Sequence, residues 1–294
     1  VSRVLRLATR ASPLALWQAR RAAALLAAAH PGLRVQLVPL TSSGDRDRTT
    51  PLYESPSVGL FVKEIQAAVL AGEADAGVHS CKDLPTRHPD GLGLAAVMRR
   101  ADPRDALVGL AGGFAALPAG ALVGTSSLRR QAQLAALRPD LRFAPIRGNV
   151  DTRLRKVAEG ACAATVLALA GLIRLGLARH ACAEPFDPWN ACCPAPAQGA
   201  VALDCRRDDR RTIALLAALD HPATRRAVAA ERTVLAALDG GCSLPLGCHA
   251  RRLGDGRWRL AARLGRAGGL LRFDGEGTDP AALAAGAVAA LRGG

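Results

Sequence analysis

The stretch Ala121-Leu122-Val123-Gly124-Thr125-Ser126-Ser127-Leu128-Arg129-Arg130-Gln131 decides the reading, together with its continuation Arg142-Phe143-Ala144-Pro145-Ile146-Arg147-Gly148-Asn149-Val150-Asp151-Thr152-Arg153. Its first half predicts a short apolar strand, a turn at Gly124–Ser127 and a helix opening near Leu128. A helix start leaves backbone N–H groups unpaired and carries partial positive charge. Hydroxyls there can cap the helix or hold an anion. Arg129 and Arg130 fall in the first turn, where cations are disfavoured, and an anion docked beside them would remove the conflict. Arg147-Gly148-Asn149 repeats the logic after a second apolar run, with Arg153 one turn into the next helix. Two strand–turn–helix units thus point to one carboxylate or phosphate site. The alternative is two solvated helix starts in an arginine-rich chain.

Working outward, Val4–Ala8 reads as a strand and Ser12-Pro13 as a helix start, with proline at the first helical position. Arg10 then sits at a strand's carboxyl end, where open α/β sheets bind ligands. A second strand spans Val35–Leu40, and the polar stretch Thr41–Val58 reads as a long loop of the lid type. A helix opens at Gly59–Glu64. A short strand then ends in Ser80-Cys81-Lys82-Asp83, which sets a cation beside a carboxylate. On spacing alone that pair is equally a surface ion pair. Leu92–Met98 is a strand, Arg99–Arg104 and Pro185–Pro196 fit crossovers, and Ala200–Cys205 is a returning strand. From His221 the pattern changes to an amphipathic helix, a loop at Gly240-Gly241-Cys242, three strand-like runs and an alanine-rich helix from Pro280. Cys242 is a candidate nucleophile or attachment point, or else an ordinary turn cysteine. His249 is near it in sequence.

The 294 residues suffice for two or three domains, and half of them are hydrophobic, which excludes a disordered chain. The formal charge of +14 would suit nucleic acid, a membrane surface or acidic small molecules. Aromatics make up only 3% of the chain, few for a base-stacking surface. The eight cysteines are scattered through a long chain and include no CxxC pair, so no disulfide framework or zinc site is expected. No apolar run has the length of a membrane span, and no signal segment is read at the start. A cytoplasmic setting without metal, membrane or nucleic-acid partner is therefore expected.

Several motifs occur in order along the chain: Thr9–Gln18, Gly59–Glu64, His79–Pro85, Asp102–Ala106, Gly124–Gln131, Arg147–Arg153 and Leu238–Gly247. With these the chain resembles the porphobilinogen deaminase, or hydroxymethylbilane synthase, family of tetrapyrrole biosynthesis. The resemblance implies a monomeric transferase of heme biosynthesis. Such an enzyme joins four porphobilinogen units head to tail, releases ammonia at each addition and frees hydroxymethylbilane. It implies priming on a dipyrromethane cofactor held by a thioether to Cys242. The implied fold is α/β, with two type II periplasmic-binding-protein-like domains, two crossovers and a small α+β C-terminal domain. On this chain the divisions fall at 1–99 with 199–217, 104–194, and 218–294. Asp83 is the implied catalytic group. Lys82, Thr125, Ser127, Arg129, Arg130, Arg147, Gly148 and Arg153 are implied to bind the cofactor, and Arg10, Ser12, Phe61 and Gln198 the substrate.

Each pyrrole carries an acetate and a propionate, so cofactor and growing chain form a polyanion suited to guanidinium groups and helix-start amides. Two departures stand out. Glu54 and Val58 occupy lid positions where the family usually has lysines, which predicts a lid that holds the polyanion weakly. Cys81 stands where methionine is common and adds an oxidisable thiol beside Lys82 and Asp83. Two other classes remain at the level of residues: a non-enzymatic anion-binding protein of the same plan, and a nucleic-acid binder suggested only by net charge.

Overall fold

The computed structural model describes residues 3–41, 62–109, 112–179, 182–239 and 244–293. Most of the lid stretch, Phe61 and Cys242 lie outside these. In chain order the first elements are β1 (Arg3–Arg10), α1 (Pro13–Ala29), β2 (Leu33–Leu40), α2 (Lys63–Leu70), β3 (Ala76–Ser80) and β4 (Leu92–Val97). The next are β5 (Asp105–Val108), β6 (Leu122–Gly124), α3 (Leu128–Leu137), β7 (Arg142–Ala144), α4 (Val150–Ala158), β8 (Ala164–Ala168), α5 (Leu169–Arg174) and β9 (Glu184–Pro185). The chain continues with β10 (Val201–Arg206), α6 (Arg210–Leu216), α7 (Pro222–Ala237), β11 (Leu246–Arg252), β12 (Trp258–Arg266), β13 (Gly269–Gly277) and α8 (Pro280–Arg292).

The start of α1 follows from its sequence. Ser12 is extended and Pro13 has the fixed φ and missing N–H that suit the first helical position. The start of α3 is capped by Ser127, whose hydroxyl accepts the Arg130 N–H. Strands β3, β5, β8 and β10 are buried along almost their whole length, because layers cover both faces, and they read as near-continuous apolar runs. Edge strand β2 instead mixes buried and exposed positions.

The described residues form two compact units, one of 3–41, 62–101 and 200–225, the other of 102–199 and 226–293. The first unit holds a five-stranded sheet in the order β2-β1-β3-β10-β4. There β1 runs parallel to β2 and β3, and β10 is antiparallel to β3 and β4. Its core includes Leu5, Leu7, Leu26, Val78, Leu203 and Leu216. Burying such a side chain contributes about 1.5–3 kcal/mol.

The second unit repeats the plan as β7-β6-β8-β5-β9, with β6 parallel to β7 and β8, and β5 antiparallel to β8 and β9. In each sheet one antiparallel strand sits beside the third parallel strand. In the first unit that strand arrives only after the chain has left at Ala101 and returned at Ala200. This is the type II arrangement with two crossovers. The tail adds its own antiparallel sheet, β11-β12-β13, and packs onto 102–199 within one unit. At that contact a Cβ on Gly247 would stand 2.6 Å from the Cys193 carbonyl oxygen, so glycine is required by the close approach. Arg263 reinforces it by donating to the Trp189 carbonyl at 2.7 Å.

Candidate functional site

In the second unit the two strand–turn–helix segments meet. Parallel pairing of β6 and β7 sets their ends side by side, and Thr125 N–H donates to the Ala144 carbonyl at 2.8 Å. The Ser126 hydroxyl donates to the Ile146 carbonyl at 3.0 Å and accepts the Ile146 N–H at 3.1 Å, which ties the turns together. Thr125 is buried, and its hydroxyl accepts the Ser127 N–H at 3.2 Å. Gly148 has φ +112, and a Cβ there would lie 2.6 Å from Thr152, so only glycine fits before α4.

Arg129 and Arg130 are buried, and the anion that answers them is the protein's own Asp105 at the start of β5. Arg129 Nη1 lies 2.7 Å from Asp105 Oδ2 and donates to the Cys193 carbonyl at 2.8 Å. Arg130 Nη2 and Nε donate to Asp105 Oδ1 at 2.6 and 3.1 Å, and Nη1 donates to the Val166 carbonyl at 2.7 Å. The first-turn conflict, which a docked anion would remove, is thus already answered inside the fold by Asp105. The partner is 24 residues from Arg129 and on another strand, so no local pattern could name it.

One cation of the group is left with like charges. Arg153 Nε donates to the Gly148 carbonyl at 2.9 Å. Burial, then the charges of Arg130 and Arg147, pull its pKa down to about 10. Among the described residues no carboxylate lies within ion-pair distance of it. Arg147 and Gly148 are half-buried, and Lys156 Nζ approaches the Arg147 carbonyl at 3.4 Å. Gln198 is buried, with Nε2 donating to Asp105 Oδ1 at 2.9 Å and to the Pro103 carbonyl at 2.8 Å. Arg174 carried no motif. Burial pulls it down to about 10, and its Nη2 donates to the Gly199 carbonyl at 2.7 Å.

In the first unit Arg10, Ser12, Lys82 and Asp83 line one pocket of about 100 Å³, with Gln18 and His79. Arg10 ends β1, and Lys82 and Asp83 follow β3 in a single 3₁₀ turn, so neighbouring parallel strands deliver them together. The Ser12 side chain makes no capping bond to α1. Beside the pocket lies an ionic cluster that the sequence reading missed. Asp204 on β10 is fully buried, 2.9 Å from His79 Nε2, accepts Gln66 Nε2 at 2.9 Å and lies 3.9 Å from His88 Nδ1. Burial alone would raise its carboxyl. The His79 charge, the hydrogen bonds from His79 and Gln66, and the His88 charge outweigh that and hold it below the ordinary range.

A carboxyl depressed in the fold contributes stability above its unfolded value, about 4, and loses that contribution as pH falls through the folded value. Asp204→Asn is therefore expected to cost roughly 2–5 kcal/mol at neutral pH and to flatten the acid limb of the stability profile below about pH 4. Denaturant midpoints from pH 2 to pH 7 check this, and an unchanged acid limb would contradict it.

His249 is buried on β11, with Nδ1 3.4 Å from Glu231 Oε1 and its ring 4.9 Å from that of Trp189. Among the described residues no cluster could hold a metal ion, and no helix is long and apolar enough to cross a membrane.

Family comparison covers nearly the whole chain. Residues 5–214 match the model described as porphobilinogen deaminase, dipyromethane cofactor binding domain, and residues 225–291 match porphobilinogen deaminase, C-terminal domain.

The chain belongs to the porphobilinogen deaminase family.

With the family come a transferase of porphyrin biosynthesis and a dipyrromethane cofactor. Solved structures give weaker likenesses. The periplasmic VFT2 domain of Bordetella pertussis BvgS is 15% identical with a TM-score of 0.44, covering 74% of this chain and 86% of that one. The substrate binding protein of an amino acid ABC transporter is 12% identical with a TM-score of 0.40, covering 74% and 91%. At these scores neither says anything about function.

Proposed function

We propose that the chain polymerises four porphobilinogen units head to tail, with release of ammonia, into hydroxymethylbilane, primed on a dipyrromethane attached by a thioether to Cys242. The observation that carries this is the buried arginine group of the second unit, in a chain matched by both family domains. The acetate and propionate arms of a dipyrromethane fit that group, because Arg153 faces like charge and a carboxylate would restore its ordinary basicity. Lys82, Thr125, Ser127, Arg129, Arg130, Arg147, Gly148 and Arg153 hold the cofactor, and Arg10, Ser12, Phe61 and Gln198 take the substrate.

When bound, the dipyrromethane would supply the primer pyrrole to which the first unit is added, each later unit adding to the one before it. Asp83 supplies fixed negative charge where positive charge develops on a pyrrole nitrogen, which is electrostatic catalysis. Arg10 and Ser12, in the same pocket as Asp83, orient a substrate carboxylate. The reading includes a monomer in the cytoplasm, a reducing setting with which free thiols at all seven described cysteines agree.

Purified protein incubated with porphobilinogen tests the proposal. Intact mass should show a covalent dipyrromethane, and ammonia release should accompany hydroxymethylbilane at four to one. A bare chain mass with no ammonia released would overturn it.

A further inference from the structure

Asp105 has no part in the function so far, yet four groups of the second unit converge on it. Arg129, Arg130 and Gln198 contact its carboxylate at 2.6–2.9 Å, and the Cys192 thiol lies 3.7 Å away. It is fully buried, out of reach of solvent. Burial alone would raise its carboxyl, but the charges and hydrogen bonds of Arg129 and Arg130 outweigh that and keep it ionised. Each of the three Arg130 nitrogens donates to a protein acceptor, two of them to Asp105. The remaining Arg130 N–H groups therefore point in fixed directions.

Without Asp105, Arg129 and Arg130 would join Arg153 as buried cations repelling one another, and rotamer freedom would return to the guanidinium groups. Ligand would then have to order them itself, at a cost in affinity.

We propose that Asp105 is a positioning residue of the anion site: an internal counter-ion that fixes Arg129 and Arg130 before any ligand carboxylate arrives. This rests on the proposed function for the identity of the ligand, but not for the existence of the anion site.

The test compares Asp105→Asn, Arg129→Gln and the double variant Asp105→Asn/Arg129→Gln, so that the loss of Arg129 as a cofactor-binding residue is measured by itself. Melting midpoint, its rise with inorganic phosphate, holo fraction by intact mass, and KM and kcat for porphobilinogen on the holo fraction are measured. Asp105→Asn should melt lower, carry less adduct and show KM raised about tenfold, with kcat changed less because Asp83 is untouched. The double variant should recover much of the melting midpoint yet show a higher KM and a lower holo fraction than Arg129→Gln alone, because Arg130 is left without its counter-ion. If Asp105→Asn fails to fold, the double variant set against Arg129→Gln carries the comparison.

A purely structural role predicts that the double variant has the KM and holo fraction of Arg129→Gln alone, and that result overturns the proposal. So does a parental KM in Asp105→Asn. If the parent itself shows no turnover and no adduct, the functional reading has failed. The phosphate response then decides on its own: it supports Asp105 if weaker in the double variant than in Arg129→Gln, and overturns it if equal in those two or absent from the parent.

Discussion

Asp83→Asn is expected to yield a folded protein that still carries its covalent group and turns over roughly 10²–10³-fold more slowly. Asp83 is half-buried in the 3₁₀ turn Cys81–Asp83, where the Leu84 N–H donates to the Cys81 carbonyl at 3.3 Å. That turn is anchored by the Cys81 N–H, which donates to the Ala200 carbonyl at 3.0 Å, and by buried Cys81 and Leu84 on either side. None of these contacts uses the Asp83 carboxylate. Asparagine keeps the shape and removes only the charge, so stability should change by less than about 1 kcal/mol. If the carboxylate faces developing positive charge, the loss must appear mainly in kcat and little in KM. The measurement is steady-state kinetics on the holo fraction, with melting and intact mass as controls. Near-parental kcat would remove Asp83 from the chemistry, and loss of the adduct together with the fold would make it structural.

Cys242→Ser is expected to abolish the covalent adduct and with it all turnover. The residue lies between the end of α7 at Ala237 and the start of β11 at Leu246, outside the described residues. Its assignment therefore rests on the Gly240-Gly241-Cys242 motif and on the family resemblance. Cys248 is fully buried in β11, and Cys192 is buried with its thiol pushed up to about 12 by burial first and then by Asp105. Burial likewise raises Cys193 and Cys205, and such thiols are poor nucleophiles. Cys182 is the exposed one among the described cysteines and serves as the control. Intact mass should show the parental adduct in Cys182→Ser and Cys248→Ser, and a bare chain in Cys242→Ser. An adduct surviving in Cys242→Ser would refute the attachment point.

Element starts carried by local chemistry were legible in the residues. Ser12-Pro13 opens α1, the strand before Lys82 and Asp83 ends at Ser80, and α3 opens at Leu128. The convergence of the two arginine turns was also readable, because consecutive strand–helix units place their turns at one sheet edge. What stayed hidden was tertiary. Arg129 and Arg130 announce that an anion is needed, but Asp105 is reached only through the β5–β8 and β6–β8 pairings. Asp204 looked like one polar residue in an apolar strand, and its meaning depends on His79 across the sheet and Gln66 on α2. Arg174 stood at the end of an ordinary short helix, and only its burial sets it apart. The lid substitutions Glu54 and Val58 fall outside the described residues, so the expectation of a weak lid stays with the sequence.

The position of β10 also dictates an order of assembly during synthesis. It lies between β3 and β4, yet it is made about a hundred residues after β4 ends. At typical elongation rates the ribosome needs roughly 5–20 s to supply it. Through that interval β3 and β4 face each other across a missing strand, each with a row of unpaired backbone groups of the kind that recruits other chains. The second sheet has no such wait, because β5 to β9 emerge consecutively and can close while the first is still open. Nascent chains halted before Val201 should therefore be the aggregation-prone species, and dependence on chaperones should end once Arg206 has cleared the exit tunnel.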